Sequence, residues 1–393
     1  MEKEALYKVG LDLIYMSSCA LHGKTPEMAR LSEMDFPALY KMAKQHSMQA
    51  IVYISLVKAT ESYSDLEIDS DLLAKWKSDY HAIVRRLVQL DMERESLYAF
   101  LNERGAWYVG LKGIVLSNYY PTLGMRQMTD NDILIDPTFA PSVRDYFTSR
   151  GYRIESYGSH CHDIYIKGPL TFEIHRMLAE DSGKTRSAHQ YYENVREILL
   201  PEGKGSSLRF SDDDFYVYYI FHAHKHFVYA GCGLRTLMDV YVYTSAMGDG
   251  LNREYIEKKL REMGTDGYER SLFGLAATLY GSDPDGIYSD DILAEGERET
   301  LLYYISSGTF GTARQMVENR LDDMAGDGKV TFGVKLRYLL SRLFPKYEFY
   351  KTSYPRASRF IVTIPFLWLF RLFRSFGKHK RIRKEVEQVK SKK

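Results

Sequence analysis

The chain has 393 residues, 45% hydrophobic and 27% charged, a length and balance that fit a soluble globular protein of more than one domain and exclude a disordered or fibrous chain. Its net charge of +1 hides an asymmetry: from Arg371 to Lys393 ten Lys/Arg face two Glu, so an acidic body carries a basic tail. Three scattered cysteines, Cys19, Cys161 and Cys232, argue against a disulfide framework and fit reduced thiols in a cytoplasm. No stretch reaches the roughly 18 consecutive apolar residues of a membrane span, and the N-terminus lacks the basic-then-apolar pattern of a secretory signal. The 32 tyrosines are spread along the chain and read as amphipathic core and surface residues.

Residues 1–105 read as a helical region. DFPALYKMAKQHSMQAIVYISLVKA opens on Asp35 as N-cap, with Pro37 in the first turn. From Asp71 to Arg104 apolar residues recur at Ile83, Leu87, Leu90, Leu97 and Leu101, a helical period that Gly105 terminates. The texture changes over residues 106–180. WYVGLK is a short β-rich run, IVLSNYY a helix candidate, and Pro121 and Gly124 mark a turn. The strand TDNDILID comes next, then a helix from Phe139 to Arg150 and three more strand candidates, YRIESY, HDIYIK and LTFEIHRML. Residues 185–345 return to helix. There SDDDFYVYYIFHAHKHFVYAG has Ser211 as N-cap and three aspartates where they complement the helix dipole. Residues 355–393 are apolar, then basic. The expected fold class is α+β, a small mixed-sheet core embedded in a mainly helical chain.

The chemistry concentrates in the core. Asp130 and Asp132 are two apart in TDNDILID, so strand alternation puts both carboxylates on one face while Asn131 points away. Glu173 lies in LTFEIH, a strand able to pack beside the first. Three convergent carboxylates form a hard-oxygen cage suited to Mg²⁺. An acidic pair in a strand is by itself common on a solvated face. The apolar flanks, the Lys112-Gly113 turn upstream and Glu173 downstream together favour a metal site.

These residues, Leu111-Lys112-Gly113, Arg126 with Asp130 and Asp132, and Glu173 with His175, resemble the nucleotidyltransferase superfamily of the DNA polymerase β-like fold. More narrowly, they resemble uncharacterised bacterial nucleotidyltransferase proteins with an LKG turn, an R-x-x-x-D-x-D strand and an E-x-H strand inside a helical chain. The resemblance extends to HAHKH, to Arg235 and Asp239, and to YPRASRFIVTIPFLWLFR, covering most of the chain. Two positions depart from the pattern: the superfamily's Gly-Ser appears here as Lys112-Gly113, and the commonly aliphatic residue between the acids is Asn131, with a small packing cost expected. The resemblance implies a nucleotidyltransferase core that moves an NMP group from an NTP to a hydroxyl-type acceptor, releasing pyrophosphate, with Mg²⁺ or Mn²⁺ as cofactor. The acceptor would be a small molecule, a sugar or a protein. Asp130 and Asp132 would be shared metal ligands, and Glu173 would hold the catalytic metal and accept the hydroxyl proton. Gly113 would admit phosphates to the backbone and the helix start beyond it, while Lys112 and Arg126 neutralise their charge. The alternative is a catalytically silent nucleotide-binding or interaction module on the same fold.

Other motifs carry less. His160, His162 and Asp163 in SHCHD suggest a metal site superficially, but a His-x-His leading into a strand is more often surface or packing. His222 and His226 have the i,i+4 spacing of a zinc helix, yet Ala223 stands where a zinc protease needs Glu. Substrate contact or satisfied core histidines are better readings. Arg235 and Asp239 are also i,i+4, by default a helix ion pair, with a place beneath the active site as the functional alternative. Within residues 359–393, the apolar run Phe360 to Phe370 is interrupted by Pro365 and followed by the basic cluster. A packed helix with a solvated tail is the plain reading, and peripheral contact with a membrane surface the functional one. Nucleic acid would attract the same charge, but the acidic body and the lack of an RNA-binding motif disfavour it.

Overall fold

Helices flank a mixed sheet in the computed structural model, which describes residues 3–158, 161–181, 185–203, 205–281, 283–289, 291–309, 311–326, 329–345 and 360–376, with positions 347, 350, 354, 387 and 389. The N-terminal part forms α1 (Lys3–His22), α2 (Met28–Leu31), α3 (Phe36–His46), α4 (Gln49–Ser62) and α5 (Ser70–Asn102). Asp35 caps α3 as expected, accepting from the Ala38 amide at 2.9 Å. The helical run does not continue unbroken, because Ser47 adopts a left-handed conformation, φ 53°, and separates α3 from α4. Neither Gly nor Pro marks that break. In α5 the buried set includes Ile83, Leu87, Leu90, Leu97 and Leu101, the positions picked out by periodicity.

The strands are β1 (Tyr108–Gly110), β2 (Asn131–Ile135), β3 (Arg153–Ser156), β4 (His162–Lys167), β5 (Leu170–His175), β6 (Leu200–Pro201) and β7 (Ser207–Arg209). They form one sheet in the order β3-β4-β5-β2-β1-β7-β6. The two pairs that matter most are β1–β2, antiparallel, and β2–β5, parallel, with Asp132 opposite Glu173. Between them lie α6 (Gly113–Leu116), a single turn, and α7 (Ala140–Ser149). The strands β6 and β7, two and three residues long, went unpredicted, since neither is long enough to show an alternation. The fold is α+β, mainly helical around a seven-stranded mixed sheet.

Strand alternation sorts the two faces. Ile133, Ile135, Phe172 and Ile174 pack with Leu90 and Leu97 of α5 and Phe147 of α7. On the other face Leu134 and Val109 join a larger core with the helices α9 (Asp212–Tyr229) and α10 (Arg235–Met247). Asp132, Glu173 and His175 alternate with the first set, so they face α9 and α10. The remaining helices are α8 (Arg186–Tyr192), α11 (Arg253–Glu262), α12 (Asp266–Gly281), α13 (Glu295–Ser307), α14 (Ala313–Ala325), α15 (Phe332–Leu343) and α16 (Ile364–Phe376). No helix among the described residues is long and apolar enough to cross a membrane, and all three cysteines are buried and free.

Candidate active site

After β1 the chain turns sharply. The Leu111 amide donates to the Asp132 carbonyl at 3.0 Å, tying the turn to β2. Lys112 occupies φ 45°, ψ −110°, a conformation costly for any residue with a Cβ. It carries the ammonium inward, 2.6 Å from Asp132 Oδ1. His175 Nε2 reaches the same oxygen at 2.9 Å from β5. Asp130 immediately precedes β2, and its Oδ1 accepts from the Thr129 hydroxyl at 3.3 Å. Ligand oxygens of Asp130, Asp132 and Glu173 all lie within 4.8 Å of one another. The three carboxylates expected to converge do so.

Their electrostatics differ. Burial works against ionising Asp132, but Lys112 and His175 overcome it and hold this carboxyl well below the usual range. Burial and the negative charge of Asp132 push Asp130 up. The same two causes raise Glu173 to about 8. Lys112 therefore compensates one carboxylate and leaves two crowded by like charge, the situation a divalent cation relieves. All three donors are hard oxygens, so Mg²⁺ or Mn²⁺ fits this set chemically.

A cavity of about 190 Å³ opens beside the cluster, walled by α9 and the start of α10. His222 and His226 line it, their rings 4.5 Å apart. Burial and the nearby Lys112 charge keep both imidazoles neutral, with His226 pushed down to about 4. Arg126 and Arg235 are held differently. Arg126 is buried and gives a two-pronged bond to Asp239, Nε to Oδ1 at 2.8 Å and Nη2 to Oδ2 at 3.0 Å. Asp239 also accepts from the hydroxyls of Tyr120 at 2.7 Å and Tyr219 at 3.1 Å. Asp239 thus pairs across the fold with Arg126 rather than along its helix with Arg235. Arg235 donates to the Gln127 carbonyl at 2.9 Å, and among the described residues no carboxylate lies within salt-bridge distance of it. Burial and the neighbouring Arg126 charge push its guanidinium down, and Asp239, then Asp130, oppose that shift. Arg235 is the cation with donors to spare at the cavity wall.

Gly113 and Asn131 have packing reasons. A Cβ at Gly113 would come 2.6 Å from Arg126 Nη1 and 2.8 Å from Met128 Sδ, so the glycine admits Arg126 and Met128. The helix that follows is one turn of four residues, too short for the dipole that a longer helix would supply. Asn131 carries no packing cost: its amide donates to the Leu90 carbonyl at 2.9 Å and its oxygen accepts from Arg94 at 3.3 Å.

The SHCHD motif divides. His160 lies outside the described residues. Asp163 is fully buried, accepting from the Gly158 amide at 2.7 Å and pairing with Arg176 at 3.3 Å. His162, on the opposite face of β4, places Nε2 3.7 Å from Glu173 Oε2 and groups with Glu173 and His175. Burial and the two nearby cationic or ring neighbours, His175 and Lys112, push it down to about 3. The sequence pattern points to surface or packing for this residue, and the structure seats it beside Glu173 instead. The cue that could have found it is the β4–β5 hairpin, which sets His162 opposite His175.

A family model described as "Uncharacterised nucleotidyltransferase" matches residues 32–281, well over half of the chain. No curated protein matches the chain, and no solved structure does. The matched span runs from α3 through α12 and contains the whole sheet, the three carboxylates and both walls of the cavity. The chain belongs to this family of uncharacterised nucleotidyltransferases.

Proposed function

We propose that the protein moves a nucleoside monophosphate from an NTP to a hydroxyl-type acceptor, a small molecule, sugar or protein, with release of pyrophosphate. The observation that carries this reading is the convergence of Asp130, Asp132 and Glu173 beside a cavity holding Lys112 and Arg235. Asp130, Asp132 and Glu173 would hold Mg²⁺, or Mn²⁺, which when bound supplies positive charge to the phosphate oxygens and leaving group. Arg235 reaches the triphosphate with its unused guanidinium donors, and Lys112 adds a second charge at the turn. His175 fixes the orientation of Asp132 through its Nε2 contact. As the acceptor oxygen bonds to the α-phosphorus and the bond to pyrophosphate breaks, Glu173 takes the hydroxyl proton. The cavity is smaller than the roughly 300–1,000 Å³ of common small-molecule pockets, a size suited to phosphates more than to a whole nucleotide.

The test is incubation with each α-labelled NTP and Mg²⁺ or Mn²⁺, with and without cell extract. Label transfer with pyrophosphate release is expected, together with its abolition in Asp130→Asn/Asp132→Asn at unchanged far-UV circular dichroism. Full activity in that double variant refutes the mechanism. One contact favours a second reading, a nucleotide-binding module without transfer. Lys112 and His175 already satisfy Asp132 Oδ1, leaving that oxygen compensated by the protein itself. In that case Mg·NTP raises the melting temperature, yet no pyrophosphate appears with any acceptor.

A further inference from the structure

Nineteen large hydrophobic side chains are exposed among the described residues, and eleven of them fall between Phe332 and Phe370. Scattered exposed apolar residues need no explanation, but such a concentration does. The helix α15 is apolar on two sides. Val334 and Tyr338 turn inward, packing with Val317 and Leu321 of α14. Phe332, Leu336, Leu340 and Leu343 form a second stripe at helical spacing, exposed along its whole length. Phe332 alone is 80% exposed. On α16, among the described residues, Phe366, Leu369 and Phe370 are exposed, spaced i, i+3, i+4.

The two helices are joined. Trp368 Nε1 donates to the Leu343 carbonyl at 2.9 Å, Arg371 donates to the same oxygen at 3.3 Å, and Phe344 stacks on Trp368 with centroids 5.5 Å apart. Neither helix contains an acidic residue. They carry Lys335, Arg337, Arg342, Arg371 and Arg374, and the sequence beyond continues strongly basic. Apolar stripes on helices whose own charged residues are all basic suit the headgroup boundary of an anionic bilayer, which takes up hydrocarbon and attracts Lys and Arg together. Unpaired bases of a nucleic acid would stack on the phenylalanines but leave the aliphatic stripe of Leu336, Leu340 and Leu343 in water, whereas a bilayer takes up both. The helices are too short to cross, so they would lie in the interface.

We propose that α15 and α16 form a docking surface for an anionic lipid bilayer, seating the Leu336/Leu340 stripe and Phe366, Leu369 and Phe370 at the headgroup boundary. This surface is independent of the nucleotide reading, and its test uses no nucleotide. The full chain is sedimented with vesicles of phosphatidylcholine, and with vesicles of phosphatidylcholine plus phosphatidylglycerol, at low and high salt. Binding to the anionic vesicles is expected, weakened by salt and weak on the neutral ones. Phe366→Ser/Phe370→Ser should weaken partitioning by at least about tenfold, because two aromatic side chains no longer leave water. Leu336→Ser/Leu340→Ser should act alike from the other helix. Because these side chains are exposed, thermal melts of both variants should overlay the wild type. Three results overturn the proposal: a wild-type chain that stays in the supernatant with anionic vesicles, folded variants that pellet like wild type, or a lipid-free dimer that the substitutions convert to monomer. The last would assign the face to a second copy of the chain.

Discussion

Replacing Arg126 by Ala tests whether this cation holds the fold through Asp239 or meets phosphate, as the motif implies. Arg126 and Asp239 are nearly buried, with side chains 7% and 3% exposed. Four donors converge on Asp239: two from Arg126 and the hydroxyls of Tyr120 and Tyr219. Removing the guanidinium leaves a buried carboxylate with two neutral donors and no bonded cation, Arg235 acting on it only through space. Breaking one partner of such a pair costs about 3–5 kcal/mol, a large share of the roughly 5–15 kcal/mol that holds a typical domain together. Urea unfolding followed by far-UV circular dichroism should show that loss as a lower midpoint at unchanged slope. In Arg126→Leu/Asp239→Asn no charge is stranded, and an amide oxygen remains for the tyrosines, so much of the stability should return. A loss below about 1 kcal/mol in Arg126→Ala, with Mg·NTP binding sharply reduced, would refute the reasoning and return Arg126 to the phosphates.

Arg235→Gln should have the opposite profile. Its guanidinium makes one hydrogen bond to a carbonyl, so melting should change little. Mg·NTP affinity should fall by roughly ten- to a hundredfold if its charge meets phosphate, at about 1.5–3 kcal/mol per charged hydrogen bond; unchanged affinity by calorimetry would exclude that contact. His46 supplies a pH test of stability. It accepts from the Leu234 amide on Nδ1 at 3.1 Å and bonds the Ile305 carbonyl through Nε2 at 3.0 Å, so the neutral ring is the form the fold accommodates. Burial pushes it down to about 4. With the folded value below the ordinary 6.5, its contribution is complete above pH 6.5 and is lost as pH falls toward 4, about 3 kcal/mol in all. His46→Gln should flatten that part of the stability–pH curve; equal slopes for the two proteins would disprove the role.

The acidic cluster was legible because its chemistry is local on each strand: the D-x-D alternation needs only β2, and E-x-H only β5. Their meeting was an expectation that only the parallel pairing of β2 with β5 could meet. The pairing of Asp239 with Arg126 rather than Arg235 was not legible. It depends on α10 lying beside the turn before β2, more than a hundred residues away in the chain. Asn131 looked like a departure with a cost because its partner, the Leu90 carbonyl of α5, comes from another element. His162 was hidden by its neighbours: the motif reads as one unit, while the strand sends His162 and Asp163 to opposite faces. Short strands and the left-handed Ser47 escaped because two or three residues carry no period.

The hairpin between β4 and β5 closes over only Gly168 and Pro169, with Gly168 at φ 57° and Lys167 paired to Leu170. That turn works as a ruler for the third carboxylate. A tight two-residue turn fixes which residues face one another, and along a strand each single step reverses the side chain's direction. Counting from the turn brings Glu173 to the cavity face and Phe172 and Ile174 to the core. One residue inserted there, far from the cavity, would send the carboxylate toward α5 and two large apolar side chains into the cavity. The length of this turn and the alternation along β5 thus set the position of the third carboxylate together.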